Sequence, residues 1–379
     1  MSTTWTSEAN HESKLADFAA ELAKEEPSKG SFSEDYAAAC AAHEIVPCPF
    51  ISVSGSGARV CRVANTIVDL PSWRAALLAI ALEGSTVAEL HMHGCELSRQ
   101  HLADLCACLE KKGHFAVCKL DYLTISVPVG DAAEEGKGEE AAAGSTSAFL
   151  PVLAGKAHVE YLSLKGNNLG PLCSSADFKT ALSENLSLKA LSLADNKLDD
   201  TAVAAVLSAA KLSPCVTELS LAQNACEGEC LSALQGLLTG SEVSPEDDAS
   251  FKNIAKAVGD KNKAIKDTNK IRKKKGLPDL HELTAPAERI EAGFMSNRTI
   301  KVIDMSLCPL SATHYKAFMS SVSNVENHKA VAHELSATVI VRGSGEAAEQ
   351  EKLRVVVAGA EAGTEGEVSP LLMGLQILV

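Results

Sequence analysis

The sequence predicts an α/β fold: short parallel strands, each followed by an outer helix, stacked into a curved, horseshoe-shaped solenoid. Three observations predict it. A short pattern of apolar residues closed by an Asn recurs at near-constant spacing. Each copy is followed by a run with helical periodicity. Aromatic residues make up only 4% of the chain while apolar residues make up 46%, so the core must be assembled from Leu, Val, Ile, Ala and Cys. Small aliphatic side chains of this kind suit many thin, similar layers.

The pattern is L-x-x-L-x-L-x-x-N-x-L. Val159, Leu162, Leu164, Asn167 and Leu169 fit it throughout, as do Leu188, Leu191, Leu193, Asn196 and Leu198. A third copy is Val216, Leu219, Leu221, Asn224 and Cys226; the three starts lie 29 and then 28 residues apart. Two further copies carry Cys in the Asn place: Val87, Leu90, Met92, Cys95 and Leu97, and Ile300, Ile303, Met305, Cys308 and Leu310. A degenerate copy is expected at Val117, Leu120 and Tyr122, with Ile125 in the Asn place.

Each position has a physical reason. The x-L-x-L core is a strand, whose side chains alternate between two faces. Its leucines point into the stack and the intervening residues point out onto the concave sheet. The Asn turns inward, where its amide offers donors and acceptors to backbone groups freed as the strand ends. Cys fills the same space with weaker bonding.

The second half of each unit reads as a helix. Ser98 is a suitable N-cap before an inward stripe of Leu102, Leu105 and Leu109, and acidic residues open the helical run after Leu198. No unit can bury its apolar face alone, so neighbours must stack.

At these residues the chain resembles the ribonuclease-inhibitor subtype of leucine-rich-repeat proteins, over roughly Val87 to Val322. The resemblance implies a non-enzymatic scaffold that holds other proteins. A few members of that family activate small GTPases, which makes such a regulator the alternative expectation. More loosely, the layout resembles leucine-rich-repeat proteins of motile cilia and flagella. The SEDYAAACAAHEIVPCPF lead-in, the repeats and the Lys-rich NKAIKDTNKIRKKKGLPDL insertion carry that likeness. It implies axonemal or microtubule-associated partners.

Three parts follow from this reading. Residues 1–86 form a helical lead-in and degenerate cap, with a turn at Pro71. Residues 87–322 form the repeat domain, interrupted by an acidic insertion at 130–147 and a basic one at 241–298. Residues 323–379 form a tail in which ATVIVRG and KLRVVVAG are expected to pair as a hairpin, before the apolar segment SPLLMGLQILV.

Charge is uneven along the chain. Between Lys252 and Lys275 ten Lys or Arg stand against two Asp, a balance of +8; the whole chain is −14, which leaves −22 for the remainder. Such an acidic surface argues against indiscriminate nucleic-acid binding. The basic run reads as a helix from Phe251 to Arg272, ending at Gly276 with Pro278 beyond. Lys263, Lys266, Lys270, Arg272, Lys273, Lys274 and Lys275 are its candidate contacts to an acidic partner. A bland solvated helix, or an RNA or phosphate contact through Lys270 to Lys275, are the competing readings.

No stretch is long and apolar enough for a transmembrane helix, and the first thirty residues lack the pattern of a secretory signal. A cytoplasmic protein is expected, and the ciliary likeness adds the cilium or flagellum axoneme as its place. Its twelve cysteines then read as reduced thiols. A zinc site on His91, His93 and Cys95 is the alternative, without any CxxC pair to support it.

No phosphate-cradling glycine motif, nucleophile elbow or HExxH helix is found, and Asp69, Asp121, Asp195 and Asp304 are scattered. No cofactor is expected. The outward strand positions Ser163, Lys165, Ser192, Ala194, Ser220, Ala222, Asp304 and Ser306, continued by His91 and His93, are the candidate protein-binding face. That face offers no arginine finger for GTPase activation.

Overall fold

The computed structural model describes residues 3–4, 15–54, 59–126, 146–155, 158–275, 279–283, 285, 290–291, 294–295, 297, 299–323 and 338–340. Among these, the main sheet holds nine strands that follow one another in chain order. They are β1 (Ser52–Ser54), β2 (Val60–Ala64), β3 (Glu89–His93), β4 (Phe115–Asp121), β5 (Val159–Ser163), β6 (Ala190–Ser192), β7 (Glu218–Ser220), β8 (Val302–Asp304) and β9 (Thr338–Ile340). Only β1 and β2 pair antiparallel; every later pair is parallel.

Register repeats without slippage. Cys61, Leu90, Cys118, Leu162, Leu191, Leu219, Ile303 and Val339 sit side by side across eight strands. A one-residue shift anywhere would turn a whole strand's apolar set outward, so this row fixes the stack.

The helices carry the other wall of the core. They are α1 (Phe18–Ala23), α2 (Phe32–Ala42), α3 (Leu70–Ala81), α4 (Arg99–Lys112), α5 (Ala176–Glu184), α6 (Asp200–Leu212), α7 (Leu231–Thr239), α8 (Pro245–Lys274) and α9 (Ala312–Ser323). Successive helices pack on each other, α2 on α3, α3 on α4, α5 on α6 and α6 on α7, and α7 packs on α9 past the inserted α8. Strand leucines and helix residues such as Leu105, Val206 and Leu234 share one continuous core. No helix among the described residues is long and apolar enough to cross a membrane.

Local sequence explains the helix starts. Asp199 accepts the Ala202 amide at 2.8 Å and opens α6. Ser244 accepts the Asp247 amide at 3.0 Å, with Pro245 at the first helical position of α8. Pro71 does the same service inside the first turn of α3 behind the Asp69 cap, so it starts the helix rather than making a separate turn.

The structure corrects several expectations. The degenerate copy is shifted by two residues. Leu97 pairs with Ile125, and Leu90 with Cys118, so the copy is Phe115, Cys118, Leu120, Leu123 and Ile125. Leu123 therefore takes the Asn place, and Tyr122 and Val117 face away from the main core. The slip arose because Val117 and Leu120 preserve the spacing of two apolar template positions by coincidence.

The repeat begins earlier than Val87. Cys61 and Val63 stand in register with Leu90 and Met92, which puts the buried Thr66 in the Asn place. At the other end β9 adds parallel to β8 and lengthens the same sheet. The expected hairpin's first run thus contributes a further parallel strand; KLRVVVAG lies outside the described residues. So do residues 130–145 of the acidic insertion, whose last part leads into a short helical turn at Ser147–Phe149.

The basic helix starts six residues before Phe251 and is anchored rather than free-standing. Phe251, Ile254 and Val258 pack with Leu212 and Met295. Asp247 pairs with Lys179 at 3.2 Å and with Lys211 at 3.7 Å. Farther along, the amides of Asn262 and Asn269 each exchange two hydrogen bonds with the backbone of Leu283 and Leu280. Two side chains seven apart thus hold the returning chain along one side of the helix.

Candidate functional site

The face of the main sheet opposite the helices is laid out by strand alternation. Its middle row runs His91, Lys119, Ser163, Ser192, Ser220 and Asp304, each beside the next. Below lies Glu89, Val117, Tyr161, Ala190, Glu218 and Val302. Above lie His93, Asp121, Lys165, Ala194, Ala222 and Ser306, where ladder bonds continue past the strand ends. The structure therefore brings all ten predicted face residues onto one surface. Lys263 to Lys275 belong to a separate one, on α8.

The face has two unlike halves. Towards β3 and β4 it is open and chemically varied. Tyr122 is the hub there: its hydroxyl donates to Asp195 Oδ2 at 2.8 Å, and its ring meets His93 edge-on at 5.1 Å. Lys165 Nζ lies 5.7 Å from the same ring's centre. Asp121 accepts the Ser163 hydroxyl and, at 3.2 Å, the Lys165 amide. Lys119 sits 5.8 Å from the Tyr161 ring centre, and His91 lies 3.4 Å from Glu89.

Tyr122 is placed by backbone geometry. It takes φ +54°, at the repeat point where Gly94, Gly166, Asp195, Gln223 and Leu307 are also left-handed. A Cβ on Gly166 would meet the Tyr122 ring at 2.3 Å, so only glycine there lets the ring lie flat on the neighbouring turn.

From β5 to β8 the face is closed. Ser163, Ser192, Ala194, Ser220, Ala222 and Asp304 are all buried, against the expectation of an accessible small-residue track. Ser306 orders Asp304, to which its amide and hydroxyl donate at 3.0 and 2.6 Å.

Burial first, and the Asp195 carboxylate second, push the Tyr122 hydroxyl up to about 12; burial does the same to Tyr161. Burial, with Lys119 beside it, lowers His91. Both tyrosines therefore stay neutral donors at ordinary pH. His91 and His93 lie on the outer face while Cys95 turns into the core, where its thiol faces the Val63 carbonyl at 3.5 Å, so the three do not converge on a metal. No cluster of His, Cys, Asp and Glu suited to a metal occurs among the described residues.

Asp121, Tyr122, Tyr161, Asp195 and Lys119 escaped the sequence reading of this site. The shifted register hid Tyr122. Tyr161 was legible as an outward position between Val159 and Leu162 but has no template signature. Of the predicted basic residues, Lys263, Lys266, Lys270, Lys273, Lys274 and Lys275 are exposed. Lys266 pairs with Glu282 at 3.1 Å and Lys270 with Asp267 at 2.8 Å.

Residues 184–207, which span the end of α5, β6 and most of α6, match the family described as Leucine Rich repeat. The chain thus carries a leucine-rich repeat at the centre of its sheet. Domains of that class generally mediate protein–protein interaction and are typically non-enzymatic. A search of curated proteins finds no match to the chain.

Proposed function

We propose that the chain is a non-enzymatic interaction scaffold, a ribonuclease-inhibitor-like solenoid that takes a protein partner on the open half of its sheet face. The Tyr122 cluster carries this reading. A tyrosine hydrogen-bonded to Asp195, with a histidine and a lysine side chain packed on its ring, supplies contact area and polarity at little entropic cost. Partner contact centres on His93, Tyr122 and Lys165, and the exposed lysines of α8 give a second contact for an acidic surface. We further propose, on the sequence resemblance alone, that the scaffold works in the cytoplasm, in a ciliary or flagellar axoneme; tagging the protein in ciliated cells tests this.

A photo-crosslinking residue at position 93 tests the contact. In cells it is expected to give one dominant protein adduct, lost when Tyr122 is replaced by Ala; the same probe at Ser208, on the outer face of α6, should not give it. No adduct specific to position 93 would sink the proposal.

A further inference from the structure

The open half of the sheet face carries a charge pattern that the contacts around Tyr122 leave unused. Arg62, His91 and Lys119 stand side by side on β2, β3 and β4. Strand spacing sets the backbones of the two cations about 10 Å apart, with the imidazole between them. Arg62 is exposed, and His91 and Lys119 are half-buried. Among the described residues, neither cation forms an ion pair with an acidic side chain. Lys119 instead holds its ammonium 5.8 Å from the Tyr161 ring centre, which fixes it at the border of the closed half.

The imidazole registers the positive field. Burial first and Lys119 second lower its pKa, and Arg62 adds to them against the opposing effect of Glu89. Along the same row the charge then changes sign: beyond Lys119 come Ser163, Ser192 and Ser220, and finally Asp304. An anionic group is thus drawn to the β2–β4 end of the row and turned away from the other.

The flanking acids limit what fits. Glu89 lies on one side of the row, its carboxylate 3.4 Å from His91, and Asp121 lies on the other. A continuous polyanion such as a nucleic-acid backbone would run onto both. Two carboxylates of an extended peptide, two or three residues apart, span roughly 7–10 Å and match the two cations.

We propose that the open half of the face takes an acidic, extended segment of the protein partner, its carboxylates meeting Arg62 and Lys119 on either side of His91. This rests on the scaffold reading and names the chemistry that the partner brings.

A photo-crosslinking residue at the exposed position 64, in register with His93, tests it in the full chain. The probes are labelled hexapeptides of Glu, of Lys and of alternating Gly and Ser, and a labelled thymidine strand of six nucleotides. Only the Glu peptide is expected to give a saturable adduct. Arg62→Gln with Lys119→Gln should raise its half-saturating concentration about tenfold, because both charge contacts are lost. Lys273→Ala, Lys274→Ala and Lys275→Ala on α8 should leave it nearly unchanged. Arg62→Gln alone, at an exposed position, should give about threefold and serves if the double variant folds poorly. An equal adduct with the Gly-Ser peptide, or no change in the Arg62 and Lys119 variants, would overturn the proposal. Stronger labelling by the thymidine strand would assign the row to nucleic acid and overturn it too. A position-93 adduct in cells that survives both Gln substitutions would overturn this inference while the scaffold reading stands. A saturable Glu-peptide adduct at position 64, with no position-93 adduct in cells, would remove the Tyr122-centred reading and leave the acidic-segment site.

Discussion

The central and N-terminal layers of the sheet solve one problem in two ways. Each strand must end and turn, leaving backbone N–H and C=O groups in the interior that need partners. In the central layers asparagine supplies them. Asn196 Oδ1 accepts the amides of Asn167 and Leu169 at 2.9 and 3.3 Å, while Nδ2 donates to the carbonyls of Leu164 and Ala194 at 3.0 and 3.1 Å. Asn224 repeats the arrangement one layer on, accepting from Asn196 and Leu198. Asn167 does so one layer back, accepting the Leu123 amide at 2.7 Å. The result is a ladder in which each layer's turn is held by its neighbour's side chain.

In the N-terminal layers Thr66, Cys95 and Leu123 occupy the same place, and none has an amide to offer. There the backbone itself takes over. Thr3–Thr4, Thr66–Ile67, Glu96–Ser98 and Thr124–Ser126 form a second small parallel sheet just past the turn. The Thr124 amide reaches the Cys95 carbonyl at 2.9 Å. The small sheet stops at Ser126, and the side-chain ladder begins at Asn167. Backbone pairing is indifferent to the side chain, so these layers tolerate substitution; the asparagine layers do not.

That contrast can be tested by its energetics. Asn196→Ala should have the largest effect, about 4 kcal/mol, because four buried bonds are lost and the backbone groups left behind cannot reach water. Urea unfolding measures it, and a loss no greater than that at Cys95 would show that the ladder is ornamental. Asp104→Ala comes next, at about 3 kcal/mol, because it strands the buried Arg74 guanidinium. Arg74 Nε donates to Asp104 at 2.6 Å and Nη1 to the Leu15 carbonyl at 2.9 Å, tying the chain before α1 to the third and fourth helices. Cys95→Ala should cost only about 1 kcal/mol, since a thiol bonds weakly and the neighbouring turn is already stitched by backbone.

The smallest effect is a pH dependence located at the N-terminal end. His101 is buried in α4; its Nδ1 accepts the Ser98 amide at 3.1 Å and its Nε2 donates to the Val68 carbonyl at 3.0 Å. The Nδ1 bond requires the neutral ring, the Nε2 bond survives protonation, and burial outweighs the latter and lowers the pKa below 6.5. The unfolded chain therefore binds the proton more readily. Stability from this site is complete above pH 6.5 and falls as pH drops from there towards the folded-state value. Urea midpoints between pH 7.5 and 5.5 should show a slope that His101→Gln flattens, the glutamine keeping the helix-capping role. An unchanged slope would place the dependence elsewhere.

Much of this architecture could be read from residues alone. The Asn copies at Asn167, Asn196 and Asn224 declared themselves, because a buried amide among leucines at fixed spacing has few other uses. The Ser98 cap and the leucine stripe of α4 were equally plain. The copies at Cys61 and Phe115 were not, since Thr66 and Leu123 give no polar signal of their own; the turn at Leu123 is held instead by Asn167 of the next layer. The candidate site was half legible: its outward positions follow from strand alternation, but which of them are open does not.

What the sequence determined by itself is therefore the repeat, its strand and helix halves, the basic character of α8 and the identity of the outward residues. These are consequences of local period and of side-chain chemistry. Tertiary structure decided the rest. Register placed Tyr122 on the face and Leu123 in the core, through pairing with strands 28 and more residues away. Packing anchored α8 against Leu212 and closed half the face around Tyr161. Those outcomes depend on which surfaces meet, and the period of a single strand or helix carries no information about its neighbour.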